Sequence, residues 1–226
     1  HAGVDPLLAR VYAARGVTDA AVLERRLDRL PDPELLPGLD AAVTRLLAAR
    51  ERGEGICVLG DYDADGTTGT ALAVRGLRAL GFARVEPRVP DRFAHGYGLS
   101  PAIVAALLAE AAPELILTVD NGVASVDGVA AARAAGVDVV VTDHHLPGDE
   151  LPAAAAIANP CLAAASPLAE LAGVGVVFWL LVALRRALRD RGEAVEVNLA
   201  RWLDLVALGT VADVVPLGDV NRTLVE

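Results

Sequence analysis

Apolar residues change rhythm once along this chain. Up to residue 54 they recur at helical spacing, in "DPLLARVYAARG", in "TDAAVLERRLDRL" behind Thr18 as an expected N-cap, and in "DAAVTRLLAARERG" behind Asp40. From residue 56 onward, short unbroken apolar runs alternate with helical stretches. "ICVLG" leads into the helical "TTGTALAVRGLRALG" and then the strand "VEPRVP". Ser100-Pro101 opens the helix "SPAIVAALLAEAA", proline being suited to the first helical position. The strand "LILTVD", a helix from Ser125 to about Ala135 and the strand "VDVVVTD" follow, with a further short strand expected near "AAIAN". The remainder reads as helix, from about Leu168 to Arg191 and from about Val195 to Leu208. The order β-α-β-α-β-α-β predicts an α/β fold, a mostly parallel sheet with helices on both faces, preceded by a helical N-terminal segment.

Three of the expected strands stop in the same way. "ICVLGDYD", "LILTVDNG" and "VVVTDHH" each run apolar and then meet an aspartate. In open parallel sheets, ligands gather outside the carboxyl ends of the strands. Asp61, Asp63, Asp65, Asp120, Asp143, His144 and His145 are therefore expected on one edge. Two like charges about 4 Å apart repel by about 4 kcal/mol at an effective dielectric near 20, so such a cluster calls for positive charge.

Composition narrows the choices. The chain has 226 residues, 54% hydrophobic and 22% charged, enough for one large core or two closely packed lobes. A net charge of −10 argues against a surface that coats nucleic acid, but leaves room for a nucleic-acid enzyme whose acidic site is charged with metal ions. The two cysteines, Cys57 in an expected buried strand and Cys161, support neither a disulfide framework nor a structural zinc site and suit a cytoplasmic setting. The most apolar stretch, Val174 to Leu184, is too short to span a bilayer and ends at Arg185 and Arg186. The chain contains no methionine, so His1 is read as lying inside a longer protein.

D-x-D-x-D-G matches the start of a calcium-binding EF-hand loop, but the twelfth position is Leu72 rather than Glu, and a strand precedes it instead of a helix. A dinucleotide fingerprint and a P-loop are both absent. Carboxylates with one or two histidines suit Mn²⁺ or Mg²⁺. Five or more such groups exceed the needs of one ion, and a two-ion centre serves in-line attack on phosphorus. The competing reading is that each aspartate simply caps the helix after its strand.

"DYDADG", "TVDNG", "TDHH" and "GTVADVVPL", in this order and with "VPDRFAHGYGLS" between the first two, resemble the DHH phosphoesterase superfamily, in its RecJ-type branch of single-strand-specific 5′→3′ exonucleases. The resemblance implies a helical segment over 1–54 and a DHH catalytic domain over 55–226, with DHH-associated and oligonucleotide-binding domains beyond this chain. It also implies two Mn²⁺ or Mg²⁺ ions. Asp63 and Asp65 would hold one each, Asp120 would bridge both, and His144 and Asp213 would complete the set. Asp61 is expected as a ligand or an outer acceptor, and Asp143 as the group that orients the histidines. His145 would contact the scissile phosphate or assist the leaving oxygen, making Asp120, His144 and His145 the expected catalytic residues. Arg92 would grip the 5′-terminal phosphate, Tyr97 would lie against a base or sugar, and Asn121 would hydrogen-bond in the site. The glycines around Gly173 and Gly175 either let a helix N-terminus approach a phosphate or permit tight helix packing.

The substrate implied is single-stranded DNA with a 5′ end, handled in repair and recombination by a monomeric enzyme that meets repair proteins and no membrane. Two alternatives stay open. One is a hydrolase of short oligonucleotides, cyclic dinucleotides or pyrophosphate. Those relatives tend to carry a histidine where this chain has Leu59, four residues before Asp63. The other is an inactive RecJ-like scaffold subunit, which would be expected to have lost motif carboxylates.

Overall fold

Strands that are apolar on both sides need cover on both sides, and the computed structural model, which describes residues 4–19, 23–91 and 97–226, supplies it. Five strands, β1 (Ile56–Gly60), β2 (Val85–Arg88), β3 (Leu115–Val119), β4 (Asp138–Thr142) and β5 (Ala156–Ala158), form one sheet in the order β2-β1-β3-β4-β5. Every pairing is parallel. The α/β reading with a parallel sheet thus holds, and β5 is the short strand expected near "AAIAN".

Alternate residues of each strand feed two separate cores. Ile56, Val58, Leu115, Leu117, Val119 and Val140 face one, while Cys57, Leu59, Ile116, Val139 and Val141 face the other. The first and larger core is closed by α2 (Leu39–Arg52), α3 (Ala64–Ala79), α6 (Gly173–Asp190), α7 (Leu203–Ala212) and α8 (Asp219–Val225). The second lies under α4 (Pro101–Glu110) and α5 (Val126–Ala134). The apolar run of Val174 to Leu184 is the buried length of α6, and among the described residues no helix is long and apolar enough to cross a membrane. Cys57 is a core residue whose thiol is pushed up to about 11 by burial.

The N-terminal segment departs from expectation in two places. α1 (Pro6–Ala14) forms, with Asp5 capping the Leu7 amide. The helix expected over 18–30 does not: of it, residues 20–22 lie outside the described residues, and beyond them Leu27–Arg29 makes only a 3-10 turn. Pro31 pushes Leu30, the residue before it, out of the helical region to ψ 144°, and Arg26 is extended as well at φ −120° and ψ 129°, so only three residues between them turn. α2 starts at Leu39 with Gly38 as its N-cap, which places Asp40 in the first turn rather than at the cap.

Later boundaries shift too. α6 begins at Gly173 instead of Leu168, and the helix expected from Val195 resolves into a 3-10 turn at Leu199–Trp202, capped by Asn198, followed by α7. Leu117, fully buried on the central strand β3, tests the two-core arrangement. Leu117→Ala should lower unfolding free energy by about 2–5 kcal/mol. A urea titration would show this as an earlier midpoint with unchanged slope; an unmoved midpoint would contradict the packing described.

Candidate metal centre

Strand register assembles the site. Gly60 pairs with Val119, and Val119 with Thr142, so the next residues, Asp61, Asp120 and Asp143, emerge side by side at the carboxyl edge. The ladder continues through them: the Asp61 amide donates to Val119 at 3.2 Å, Asp120 to Thr142 at 3.0 Å and Asp143 to Ala158 at 3.1 Å. The edge between β1 and β3 is also where the strand order reverses, since the chain leaves β1 for β2 and returns on the far side to β3. Crevices at such points hold the ligands of open α/β sheets.

α3 brings two more carboxylates. Asp63 is its N-cap, accepting the Gly66 amide at 2.8 Å, so the helix starts one turn earlier than the expected Thr67. Asp65 then falls in the first turn, where it is buried. Its two oxygens accept the amides of Gly173 at 2.6 Å and Val174 at 2.8 Å, the first two of α6. The positive end of that helix therefore faces Asp65. This corrects the phosphate reading of the glycines, because a carboxylate of the chain itself takes these amides. A Cβ on Gly173 would sit 2.6 Å from the Asp120 Cβ and 2.8 Å from its Oδ1, so only glycine lets α6 come this close. Gly209 does the same for α7, where a Cβ would meet Thr68 Oγ1 at 2.4 Å and Asp65 Oδ1 at 3.0 Å.

His144 reaches into the middle of the acids. Its Nε2 lies 3.1 Å from Asp120 Oδ1, 3.6 Å from Asp213 Oδ2 and 3.7 Å from Asp65 Oδ2. Asp120 Oδ1 and His144 Nε2 are both buried, yet among the described residues neither has an aligned hydrogen bond, their 3.1 Å approach to each other being an ion-pair contact only. Three overlapping groups have ligand atoms within 4.8 Å of one another: Asp61–Asp63–Asp120, Asp65–His144–Asp213 and Asp120–His144–His145. Asp213 ends α7, and the next residue, Val214, is held at φ 61°. Asp120 has φ 62°. Positive φ is uncommon for aspartate and an outlier for a β-branched residue, and strain of this kind gathers at functional sites.

Asp143 faces the turn rather than the other acids. It accepts the amides of Val123 at 2.9 Å, His144 at 2.8 Å and His145 at 3.1 Å, together with the His145 Nδ1–H at 2.7 Å. Tyr97 stands at the rim, half exposed, its hydroxyl donating to the Asp120 carbonyl at 3.4 Å and its ring edge-on to His145. Asn121 has a structural task that its motif does not announce. It is buried, and its Nδ2 donates to the carbonyls of Leu59 at 3.1 Å and Val119 at 2.9 Å, tying the ends of β1 and β3 together, while its Oδ1 makes no hydrogen bond among the described residues. Arg92 lies outside the described residues.

Burial raises Asp65 to about 6 against the pull of the α6 amides, and raises Asp120 to about 7, with Asp65 and Asp63 adding repulsion and His144 opposing it. Burial lifts Asp213 as well. His144 also rises: burial pulls it down, but Asp120 and Asp65 outweigh it. The bond to Asp143 lifts His145 to about 9. All five shifts are upward, so the folded protein without metal holds protons that the unfolded chain has released. Stability from these groups is fully present below the unfolded aspartate value of 3.8 and is lost as pH rises through about 6, 7 and then 9. The melting temperature of the chelator-treated protein should therefore fall between pH 5 and pH 8, and a flat or rising profile would contradict these shifts.

Comparison with known proteins gives the fold and the family. RecJ of Salmonella typhimurium, a single-stranded-DNA-specific exonuclease, is 53% identical over 99% of this chain and 40% of its own length. A crystal structure of Thermus thermophilus RecJ in complex with Mn²⁺ superposes with a TM-score of 0.79 at 38% identity, covering 98% of this chain and 30% of that one. A structure of exonuclease RecJ bound to manganese gives 0.72 at 43% identity, covering 84% and 46%. The chain thus spans less than half the length of these relatives. The DHH family, N-terminal domain, matches residues 55–210, which take in every strand and all seven of the clustered side chains but Asp213. On this match the chain belongs to the DHH family, and its likeness within that family is to RecJ-type members.

Proposed function

We propose that residues 55–226 are the catalytic lobe of a RecJ-like exonuclease, hydrolysing phosphodiester bonds of single-stranded DNA from the 5′ end with two Mn²⁺ or Mg²⁺ ions. The observation that carries this reading is the pair of buried atoms Asp120 Oδ1 and His144 Nε2, which make no aligned hydrogen bond among the described residues and are set between two groups of hard oxygen donors. A buried polar atom without a hydrogen bond costs about 1–3 kcal/mol, so two facing each other mark atoms disposed toward a shared cation. Oxygen-rich sites with imidazole suit Mn²⁺ and Mg²⁺, the ions named in solved RecJ structures from Thermus thermophilus.

Asp61 and Asp63 would hold one ion, Asp65, His144 and Asp213 the other, and Asp120 would serve both. A bound ion pair supplies Lewis acidity, an activated water and neutralisation of phosphoryl charge. The chain's own residues fix where that chemistry happens. The α6 amides hold Asp65 still, and Asp143 ties down Nδ1 of His145. Nε2 is then the nitrogen of His145 left to donate to a phosphate oxygen or to the departing oxygen. Tyr97 supplies a half-exposed ring beside that histidine, of the kind on which single-strand binders stack bases. Arg92, from its place in "VPDRFAHGYGLS", is assigned the 5′-phosphate.

Two observations favour this reading over the alternatives. The Leu59 side chain is buried in the second core, which puts no imidazole at the position that hydrolases of small substrates tend to use. The motif carboxylates are all present and converge, which an inactive scaffold has no need of. The proposal includes further domains beyond residue 226 that complete the DNA groove, a cytoplasmic monomer, and work alongside repair and recombination proteins.

Calorimetric titration with Mn²⁺ should show two sites in the wild-type chain. Asp120→Ala should weaken both by more than the roughly 10–100-fold typical of losing an outer hydrogen-bonding partner. Binding unaffected by this change would refute the centre. The full-length protein should degrade 5′-phosphorylated single strands in preference to dinucleotides or pyrophosphate, and the reverse order would refute the substrate.

A further inference from the structure

β5 is only three residues long, yet the turn that follows it reaches the backbone of both histidines. Asn159, fully buried, donates from Nδ2 to the His145 carbonyl at 2.9 Å. Its Oδ1 accepts the Cys161 amide at 2.8 Å, which fixes the orientation of the side-chain amide. The Cys161 thiol in turn donates to the His144 carbonyl at 3.1 Å. The Asn159 backbone amide is itself held by the Pro37 carbonyl at 3.3 Å, so the turn is anchored from the segment before α2.

From the opposite side, Asp143 holds the amides of His144 and His145. Each histidine is thus bonded at both its N–H and its C=O, although neither belongs to a strand. All four bonds are made by side chains, two of them by Asp143 and the two carbonyl bonds by Asn159 and Cys161, residues 14 and 17 positions further along the chain. Regular structure does not demand such a grip on a surface turn, where water would satisfy the same carbonyls. A metal centre does, because an imidazole must be placed to within a few tenths of an ångström, and outer hydrogen bonds do this elsewhere.

We propose that Asn159 and Cys161 are positioning residues that clamp the His144–His145 backbone and thereby set the aim of His144 Nε2 toward Asp120. The inference rests on the two-ion reading of the centre. Both residues act through the histidines and touch neither ion nor substrate. The thiol is the weaker donor of the two, so its share is the smaller.

The test compares Mn²⁺ affinity by calorimetry with the melting temperature of the chelator-treated protein. Asn159→Ala should bind Mn²⁺ about 10–100-fold more weakly at the site that includes His144. Cys161→Ala should lose roughly three- to tenfold, and Cys161→Ser, which restores a donor, should recover most of it. Cys161 is only partly buried, so its two variants keep the test decisive if Asn159→Ala fails to fold. Variants that melt earlier without metal yet bind Mn²⁺ like the wild type would overturn the clamp and leave a purely structural turn. Wild-type protein that takes up no Mn²⁺ would overturn the metal reading itself, and the clamp's purpose with it.

Discussion

Crowded negative charge at the end of a parallel sheet is the constraint around which this molecule is arranged. Parallel register leaves no freedom here: once Gly60, Val119 and Thr142 are partners, the aspartates that follow them must stand in neighbouring positions. Burial of a carboxylate favours its protonated form, and here it raises Asp65 to about 6 and Asp120 to about 7. The fold supplies partial relief through the amides at the start of α6 and through His144, but among the described residues gives Asp120 Oδ1 no aligned hydrogen bond.

Much of the remaining architecture can be understood as bringing helices near enough to these acids. α3 contributes Asp63 and Asp65 from its first turn, α6 its leading amides, and α7 Asp213 from its last turn. Side-chain bulk at Gly173 or Gly209 would push α6 or α7 away. The large core beneath them fixes these helices against the sheet, so the geometry of the acids depends on packing of residues such as Leu72, Val176 and Leu180 that carry no chemistry. Catalytic potential and core packing are therefore one problem in this fold, while the second core under α4 and α5 is mainly a matter of stability.

The parallel sheet was legible because fully buried strands read as unbroken apolar runs, and the convergence of Asp61, Asp120 and His144 followed from where those runs stop. Helix boundaries were less legible wherever a distant group set them. α6 starts at Gly173 because Asp65, more than a hundred positions earlier, takes its amides, and no local pattern encodes that. Asp213 carried no signal of its own and was placed only through the family resemblance. The structural task of Asn121, whose amide bonds the ends of β1 and β3, was not legible, because its place beside Asp120 suggests only the site. Asn159 and Cys161 were invisible, since an asparagine before a proline reads as an ordinary turn until the histidine carbonyls are seen above it.

The central claim is that cations resolve the crowding at the β1–β3 edge. Crystals soaked in manganese and measured at its absorption edge test it directly. The account predicts two anomalous peaks about 3.5–4 Å apart, both in contact with Asp120. Their absence from that edge, or peaks bound only at surface carboxylates elsewhere, would contradict it.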